Sequence, residues 1–355
     1  MSKPKIIETR KVQKFGKSTL MISLPSEYVK MIGLKPLDFV RLEVKEDGSL
    51  VILPEKVLER KFKGKEIKIG ISKNTSEDIL MRAIYASYIA CYDRIVIENI
   101  EEKVIPPHHM HAVRSLIRML IGSEIIEQTP DRIVIQIFID TERYNIDGLI
   151  ARMISAIKNM LDFLIISIKN LDYEHLKEIS ELEFEMDRIH ALAIRYVYAL
   201  NLMGSIPFVT EYRALIKSLE DIGDALTQAS QIFSEGPEIM HVIRDSLKDR
   251  LDELGLHIMY VMDIILQALS KGDLYTASRA VDLAIESIKF IGRMEMDVIP
   301  KYKSLDEYLK AKTFFERLLL ICYNLQATSE LAFDIAMGKH HEVVDLTVKE
   351  IINKK

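Results

Sequence analysis

The first part of the chain, up to about residue 60, alternates apolar and polar residues in short runs. Alternation with a period of two predicts half-buried strands, because successive side chains of a strand point to opposite faces. The runs lie at residues 20–24, 39–44 and 50–53. An Asp47-Gly48 turn precedes the last run, and Gly33 ends a short predicted helix. Four short strands and one helix make a small core, so we predict that this part dimerises.

The second part, about residues 64–144, alternates between strand and helix patterns. Strands are predicted at residues 67–71, 94–97, 125–126 and 133–137, and helices at 76–92 and 106–121. Gly122 ends the second helix. The second part is therefore predicted to be a small α/β domain.

From residue 147 onwards the pattern is helical, with breaks at residues 204–207, 236–237, 271–273 and 300. The pattern predicts six long helices in two sets of three, divided near residues 236–237. The apolar seam of the second helix and its repeat on the fifth, 99 positions later, consist of Leu182, Met186, Ile189 and Ala193, and of Val281, Ile285 and Ile288. Apolar seams on helices with short loops predict antiparallel bundles in an internal repeat.

Together the patterns predict a multi-domain α+β protein, with a small β domain, a small α/β domain and a six-helix domain of two three-helix bundles. The predicted boundaries are residues 1–60, 64–144, 147–235 and 236–355.

Charge and cysteine content bear on partners and compartment. The net charge is −5, yet residues 1–62 hold 13 Lys and Arg against 8 Asp and Glu, a basic part typical of polyanion binding. Cys91 and Cys322 lie far apart in helical patterns, which favours buried thiols in a reducing cytoplasm. No apolar signal segment opens the chain, and Asp263 interrupts its longest apolar stretch. We therefore predict a cytoplasmic protein without membrane insertion.

Four cations lie within eight residues around Gly16, namely Arg10, Lys11, Lys14 and Lys17. A two-fold dimer doubles such a group and directs it at the phosphates of DNA. The alternative is a solvated strand face that keeps an edge strand from aggregating.

Three motifs around these cations resemble the AbrB/MazE/SpoVT family of swapped-hairpin domains, over about residues 8–54. The motifs are RKVQKFGKS at 10–18, ISLP at 22–25 and IGLKPLD at 32–38. The resemblance implies an intertwined homodimer that contacts DNA through the same four cations. Leu37 stands where the family has Gly, and Lys17 stands where its bacterial branch has Arg, which reads bases better than Lys.

Two helices of the third part carry acids beside their apolar seams. Glu183, Asp187 and His190 project from one side of the second helix, and Glu220 and Asp224 follow the seam of the third. Converging carboxylates repel each other unless a cation lies between them, and Mg²⁺, Mn²⁺ or iron suits such ligands. The alternative to a metal site is that the two helices are simply amphipathic. Nearby arginines would then neutralise the acids: Arg188, Arg195 or Arg213.

The same stretches, LEFEMDR at 182–188 and LEDIGD at 219–224, resemble signatures of the PhoU family. The resemblance implies a phosphate-uptake regulator in which four acids hold a divalent metal or iron: Glu183, Asp187, Glu220 and Asp224. Residues 225–231 depart from the family, because ALTQASQ replaces a stretch that ends in an acid. In the second set Asp282 and Glu286 keep the acidic spacing, but the facing helix offers only Asn324, so no metal is predicted there.

The order of the three parts resembles an archaeal group of PhoU-like regulators. We therefore predict a non-enzymatic, homodimeric, DNA-binding regulator of phosphate uptake with a helical sensor domain. One alternative is an adaptor without a DNA role that binds a phosphate transporter or a sensor kinase. The other is a di-metal carboxylate enzyme, suggested by the Asp187-x-x-His190 spacing. The histidines at 108, 109, 111, 340 and 341 are predicted to lie on the surface.

Overall fold

The structure is a computed structural model. It describes residues 7–17, 19–44, 48–54, 64–102, 104–140, 144–203, 207–247 and 249–340. The chain divides into two compact units, Met1–Glu66 and Ile67–Lys355, and each is described by itself.

The N-terminal unit contains two antiparallel strand pairs and one helix. The elements are β1 Gln13–Phe15, β2 Thr19–Met21, α1 Ser26–Ile32, β3 Val40–Val44 and β4 Leu50–Pro54. Strand β1 pairs with β2, and β3 pairs with β4. The alternating runs and the Asp-Gly turn predict the second pair, whereas β1 was not among the predicted runs. Gly33 ends α1 in the left-handed conformation, with φ of 68°. Asp47 of the predicted turn lies outside the described residues, while Gly48 has a φ of 78°, which favours glycine.

The second unit begins with an α/β layer. Its elements are β5 Glu66–Ile71, α2 Glu77–Ile89, β6 Arg94–Asn99, α3 Pro107–Met119, β7 Ser123–Gln128 and β8 Arg132–Ile137. The strand order is β5-β6-β8-β7, and β8 is antiparallel to both of its neighbours. Ser76 caps α2 by accepting a hydrogen bond from the backbone of Ile79, as Ser and Thr do before helices. The predicted α/β elements are confirmed.

A helical domain follows the α/β layer. Its helices are α4 Ile146–Asn170, α5 Glu174–Met203, α6 Val209–Glu235, α7 Pro237–Leu247, α8 Asp249–Lys271, α9 Leu274–Val298 and α10 Leu305–Gly338. Each predicted break separates two of these helices. The pattern missed α7, an 11-residue helix between the two sets of three.

The two three-helix sets share one hydrophobic core. Helix α6 packs along α10, where the rings of Phe233 and Phe314 lie 5.0 Å apart. The α/β layer has a second core of its own, to which Ala191 of α5 also belongs. Helix α5 therefore joins the α/β layer to the first helical set.

The burial pattern corrects the predicted spacing between α5 and α9 in the internal repeat. The buried positions of α9 each lie 98 residues after a position facing the core on α5, so that Leu274 matches Leu176 and Ala284 matches Met186. The predicted seam residues Val281, Ile285 and Ile288 are only half-buried. The prediction was wrong by one residue, because two adjacent positions are apolar and the small residues of α9 are the ones that face the core. For α6 and α10 the spacing is 99, since Leu219 matches Leu318.

Among the described residues, one helix, Arg250–Lys271, has the length and composition of a membrane span. Half of its most apolar 18-residue window is buried inside the protein. Leu254, Ile258 and Val261 place it in the shared core. The helix is therefore packed as the core helix of a globular domain is packed.

Candidate functional site

Helices α5 and α6 bring three acids together. Oxygen atoms of Glu183, Asp187 and Asp224 all lie within 4.8 Å of one another, and an overlapping group contains Glu220, Asp221 and Asp224. All five side chains are half-buried. The structure therefore places the four predicted metal-site residues in one cluster, here called the acidic cluster, and adds Asp221 to it.

A glycine allows the two helices to come this close. A β-carbon on Gly223 of α6 would lie 2.7 Å from the sulfur of Met186 on α5. Met186 and Gly223 are both buried, one residue from Asp187 and Asp224 respectively. The close contact of the two helices at Gly223 thus sets the separation of the carboxylates.

The acidic cluster resists full ionisation. Burial raises the pKa of Asp187 from 3.8 to about 7, and the carboxylates of Glu183, Glu220 and Asp224 add to the rise. The pKa of Glu183 and that of Asp224 are also raised, first by burial and then by neighbouring carboxylates. Convergent carboxylate oxygens of this kind can bind a cation, which would neutralise the repulsion.

One cation that faces the acidic cluster is a lysine that the sequence analysis did not single out. Lys217 forms ion pairs with Glu220 and Asp221. Burial alone would lower the pKa of Lys217, but its hydrogen bonds to Asp221 and Glu220 raise it. The only sequence signal was its position three and four residues before two acids on one helix.

Two of the arginines proposed as neutralisers have other partners. Arg188 pairs with Glu185 at 2.7 Å. Arg195 is 4% exposed and forms an ion pair with Asp93 of the α/β layer at 3.0 Å. The ion pairs of these two arginines are therefore with Glu185 and Asp93, not with the acids of the cluster.

Arg195 instead joins α5 to the end of α2. Its guanidinium donates hydrogen bonds to the carbonyl oxygens of Tyr88 and Tyr92, the latter at 3.0 Å. The guanidinium also lies 5.0 Å from the centroid of the Tyr88 ring. Carbonyls at the C-terminal end of a helix lack helical partners, so a buried cation satisfies them. The next residue of α5, Tyr196, donates a hydrogen bond from its hydroxyl to the carbonyl oxygen of Tyr144 at 2.7 Å.

Helix α2 also reaches the acidic cluster. Tyr85 lies one turn before Tyr88 and is half-buried. Burial raises the pKa of Tyr85, and the charges of Glu220 and Asp187 raise it further. The α/β layer therefore extends along α5 from the acidic cluster to Arg195.

His190 is a neutral imidazole beside the acidic cluster. Burial lowers its pKa to about 4, and the charge of Lys217 lowers it further. In the parts of the chain that the structure describes, neither group of convergent ligands includes a histidine. The di-metal interpretation of Asp187 and His190 thus has no geometric support there.

Apolar residues replace the acidic cluster in the second set of helices. The positions equivalent to Glu183 and Asp187 are Val281 and Ile285, and those equivalent to Glu220, Asp221 and Asp224 are Leu319, Leu320 and Tyr323. Asp282 and Glu286 are exposed, one position away from the equivalents of the metal-site acids. The Asn324 side chain donates to the carbonyl of Leu320 on its own helix at 3.1 Å.

One predicted surface histidine is buried. His109 is 0% exposed, and its Nε2 lies 2.7 Å from the carbonyl oxygen of Thr75. The prediction was wrong because the first turn of α3 packs against the loop before α2. His340 contacts the carbonyl of Gly272 through Nε2 at 3.1 Å, and His341 lies outside the described residues.

The two cysteines differ in environment. Cys322 is buried, and burial raises the pKa of its thiol to about 12. Cys91 is only half-buried and has a φ of 58°. Its thiol lies 3.3 Å from the carbonyl oxygen of Arg195, so Cys91 also contributes to the contact between the α/β layer and α5.

The predicted DNA-binding residues lie on or beside the β1–β2 hairpin. Arg10, Lys11, Lys14 and Lys17 are all exposed, and Gly16 supplies the turn with a φ of 66°. Arg10 pairs with Glu8. The four cations thus share one small exposed region.

Large apolar side chains are exposed in the same unit. Phe39 is 78% exposed and Val44 is 77% exposed. Further examples are Val12, Phe15, Leu20, Ile22, Leu42 and Leu50. A monomeric soluble protein rarely exposes so many large apolar residues within 50 residues of chain.

Comparisons with known proteins match both regions. The PhoU domain matches residues 150–233, and the family "Antidote-toxin recognition MazE, bacterial antitoxin" matches residues 13–59. The solved PhoU from Pseudomonas aeruginosa aligns with 12% sequence identity and a TM-score of 0.38, over 54% of this chain and 92% of that one. A search of curated proteins gives no match.

Proposed function

Since the chain carries a MazE-type domain followed by a PhoU domain, we propose that it is a cytoplasmic, non-enzymatic regulator of phosphate uptake that binds DNA as a homodimer. The observation that carries the DNA-binding role is the group of four exposed cations on the MazE-type unit. Lys and Arg side chains at such positions bind backbone phosphates and displace the counterions of DNA.

The homodimer is supported by the apolar surface of the N-terminal unit. Its strands are short, and side chains such as Phe39 and Leu42 are exposed on the single chain. Covering them with a second copy gives the unit the core that its length cannot supply. A two-fold dimer also presents two basic groups at a fixed spacing, as DNA half-sites require.

The acidic cluster is the proposed effector site, with Glu183, Asp187 and Asp224 as ligands of a hard cation. The donors fit such an ion, because they are carboxylate oxygens that converge and repel one another. When bound, Mg²⁺, Mn²⁺ or iron would add positive charge to that of Lys217. Lys217 holds Glu220 and Asp221 beside the site.

The DNA-binding test uses the intact protein and a fragment of its own promoter region at several salt concentrations. We expect binding that weakens steeply with salt, with a slope of about −0.9 per phosphate contact in a plot of log affinity against log salt. Changing Arg10, Lys11, Lys14 and Lys17 to Gln lowers both the affinity and the slope. The matched control changes four exposed lysines of the second unit: Lys68, Lys271, Lys289 and Lys301.

The alternative function is an adaptor that contacts a phosphate transporter or a sensor kinase and uses the N-terminal unit only to dimerise. DNA affinity that is the same in the quadruple variant and the control supports this adaptor and contradicts the DNA-binding role. Loss of affinity in both variants shows attraction by total charge, and it also contradicts a specific basic surface.

A further inference from the structure

Thr227 of α6 is a buried residue whose hydroxyl lacks a hydrogen-bond partner. Its side chain is 7% exposed, and no atom of the described residues forms a hydrogen bond with its Oγ1. Threonines in helices commonly donate to the carbonyl four residues earlier, as Thr328 does to Asn324 at 2.7 Å. A buried hydroxyl without a partner is costly, so this group calls for an explanation outside the hydrogen bonds of its own helix.

Helical spacing places Thr227 on the same face of α6 as the acidic cluster. It follows Glu220 by seven residues and Asp224 by three, and residues at these spacings lie on one face of a helix. It also follows Gly223 by four residues, and Gly223 is the position that faces the sulfur of Met186 on α5. Thr227 therefore lies between the α5 contact and the two acids, on the inner side of the acidic cluster.

The register of the two helices places Thr227 beside Glu183. Oxygen atoms of Glu183 and Asp224 lie close together in the cluster. The charge of Lys217, two turns earlier on α6, acts on the pKa of His190, two turns later on α5. The two helices are therefore antiparallel, and the turn of α6 that follows Asp224 lies beside the turn of α5 that contains Glu183.

The two helices carry two acids and a third polar residue at the same spacing, at positions i, i+4 and i+7. These series are Glu183, Asp187 and His190 on α5, and Glu220, Asp224 and Thr227 on α6. In the second repeat, where apolar residues replace the acids, the position equivalent to Thr227 is Gln326, whose amide donates to Glu330 at 2.8 Å. At this position the buried hydroxyl therefore occurs only in the repeat that has the acids.

We propose that the hydroxyl oxygen of Thr227 is a further, neutral ligand of the hard cation at the acidic cluster. This inference rests on the proposed effector site and adds a ligand to it. Mg²⁺ and Mn²⁺ prefer octahedral coordination by oxygen, so an oxygen beyond the three convergent carboxylates fits them. A hydroxyl supplies that oxygen without adding negative charge to groups that already repel one another. The bond to the cation also gives the buried hydroxyl the partner that it lacks on its own helix.

The test compares Thr227→Val and Thr227→Ser in the full-length protein, with Mn²⁺ as the probe in isothermal titration calorimetry. Valine keeps the shape of threonine and removes the oxygen, so we expect Mn²⁺ affinity to fall about tenfold. Serine keeps the hydroxyl, so we expect an affinity within about twofold of the wild type. In EDTA we expect Thr227→Val to raise the urea midpoint, because a methyl group replaces a buried hydroxyl that has no partner. A purely structural role of Thr227 does not combine a loss of cation affinity with a gain in stability.

Thr328→Val is the matched control, because Thr328 is a buried threonine of α10 whose hydroxyl already has a partner. We expect unchanged Mn²⁺ affinity and a lower urea midpoint for this variant. Equal Mn²⁺ affinity of Thr227→Val and the wild type, or an equal loss in Thr227→Ser and Thr227→Val, overturns this inference and leaves the effector site standing. Absence of Mn²⁺ binding to the wild-type protein overturns the effector site, and the role of Thr227 with it.

Discussion

The sulfur of Met186 lies 2.7 Å from the position that a β-carbon on Gly223 would occupy. This contact holds α5 and α6 at the separation that brings Glu183, Asp187 and Asp224 together. We expect Gly223→Ala to push Met186 aside and to weaken binding of Mn²⁺ about tenfold, measured by isothermal titration calorimetry. The steric cost opposes the helix-propensity gain of about 1 kcal/mol, so stability changes little or falls.

Gly292→Ala is the control for this variant, since Gly292 has open space around it on α9. We expect it to raise the free energy of unfolding by about 0.5–1 kcal/mol, with Mn²⁺ affinity unchanged. Equal Mn²⁺ affinity for Gly223→Ala and the wild type would show that the α5–α6 separation does not control the cluster.

Stability of the cation-free protein depends on pH through Asp187. Its pKa rises from 3.8 to about 7 on folding, so the folded state binds more protons between these values. The resulting stabilisation is fully present below about pH 4 and is lost as the pH rises through about 7. Below about pH 6.5 the lowered pKa of His190 has the opposite effect on stability. We therefore expect the urea midpoint in EDTA to fall between pH 6.5 and pH 8, and Mn²⁺ to restore it at pH 8.

Asp187→Asn removes the titrating group and flattens this dependence. Asp245→Asn, at an exposed aspartate of α7 with a side chain 65% exposed, is the comparison. A wild-type midpoint that stays constant from pH 6.5 to pH 8 in EDTA would contradict the repulsion among the carboxylates.

Arg195→Met leaves two carbonyls of the α/β layer and the carboxylate of Asp93 without their buried cation. Charged hydrogen bonds of this kind contribute strongly, and we expect a loss of about 3 kcal/mol in unfolding free energy. Arg293→Met changes the equivalent exposed arginine, and we expect a change within about 0.5 kcal/mol. Urea unfolding measures the free energy of unfolding of both variants. Similar losses for the two would argue against a structural role of the contact between Arg195 and the α/β layer.

The dimer is tested at Leu42 of β3, which is 59% exposed in the single chain. If a second copy covers this side chain, Leu42→Glu buries a charge in the interface and lowers the mass measured by light scattering to that of one chain. Ile79→Glu, at a position of α2 that is also 59% exposed, leaves the mass unchanged. A wild-type protein with the mass of one chain would contradict the proposed homodimer.

Local patterns were sufficient to predict the buried residues of an element wherever one face of that element meets a core. The seam of α6, with Leu215, Leu219 and Ile222 at 0% exposure, could be read from its helical period alone. The acids beside that seam could be selected for the same reason, because seams that pack together bring their flanking residues together. The seam of α9 could not be placed, since small residues such as Ala280 and Ala284 lie in the core beside larger apolar neighbours.

The sequence by itself determined the order of elements, the basic N-terminal unit and the acidic rows of α5 and α6, because these depend on local period, turn chemistry and charge. Only the tertiary structure decided which cation meets which anion. Lys217 faces the acidic cluster, and Arg195 is held by the end of α2, about a hundred residues away in the chain. Long-range pairing of this kind depends on how helices rotate and pack against each other, which a single sequence does not state.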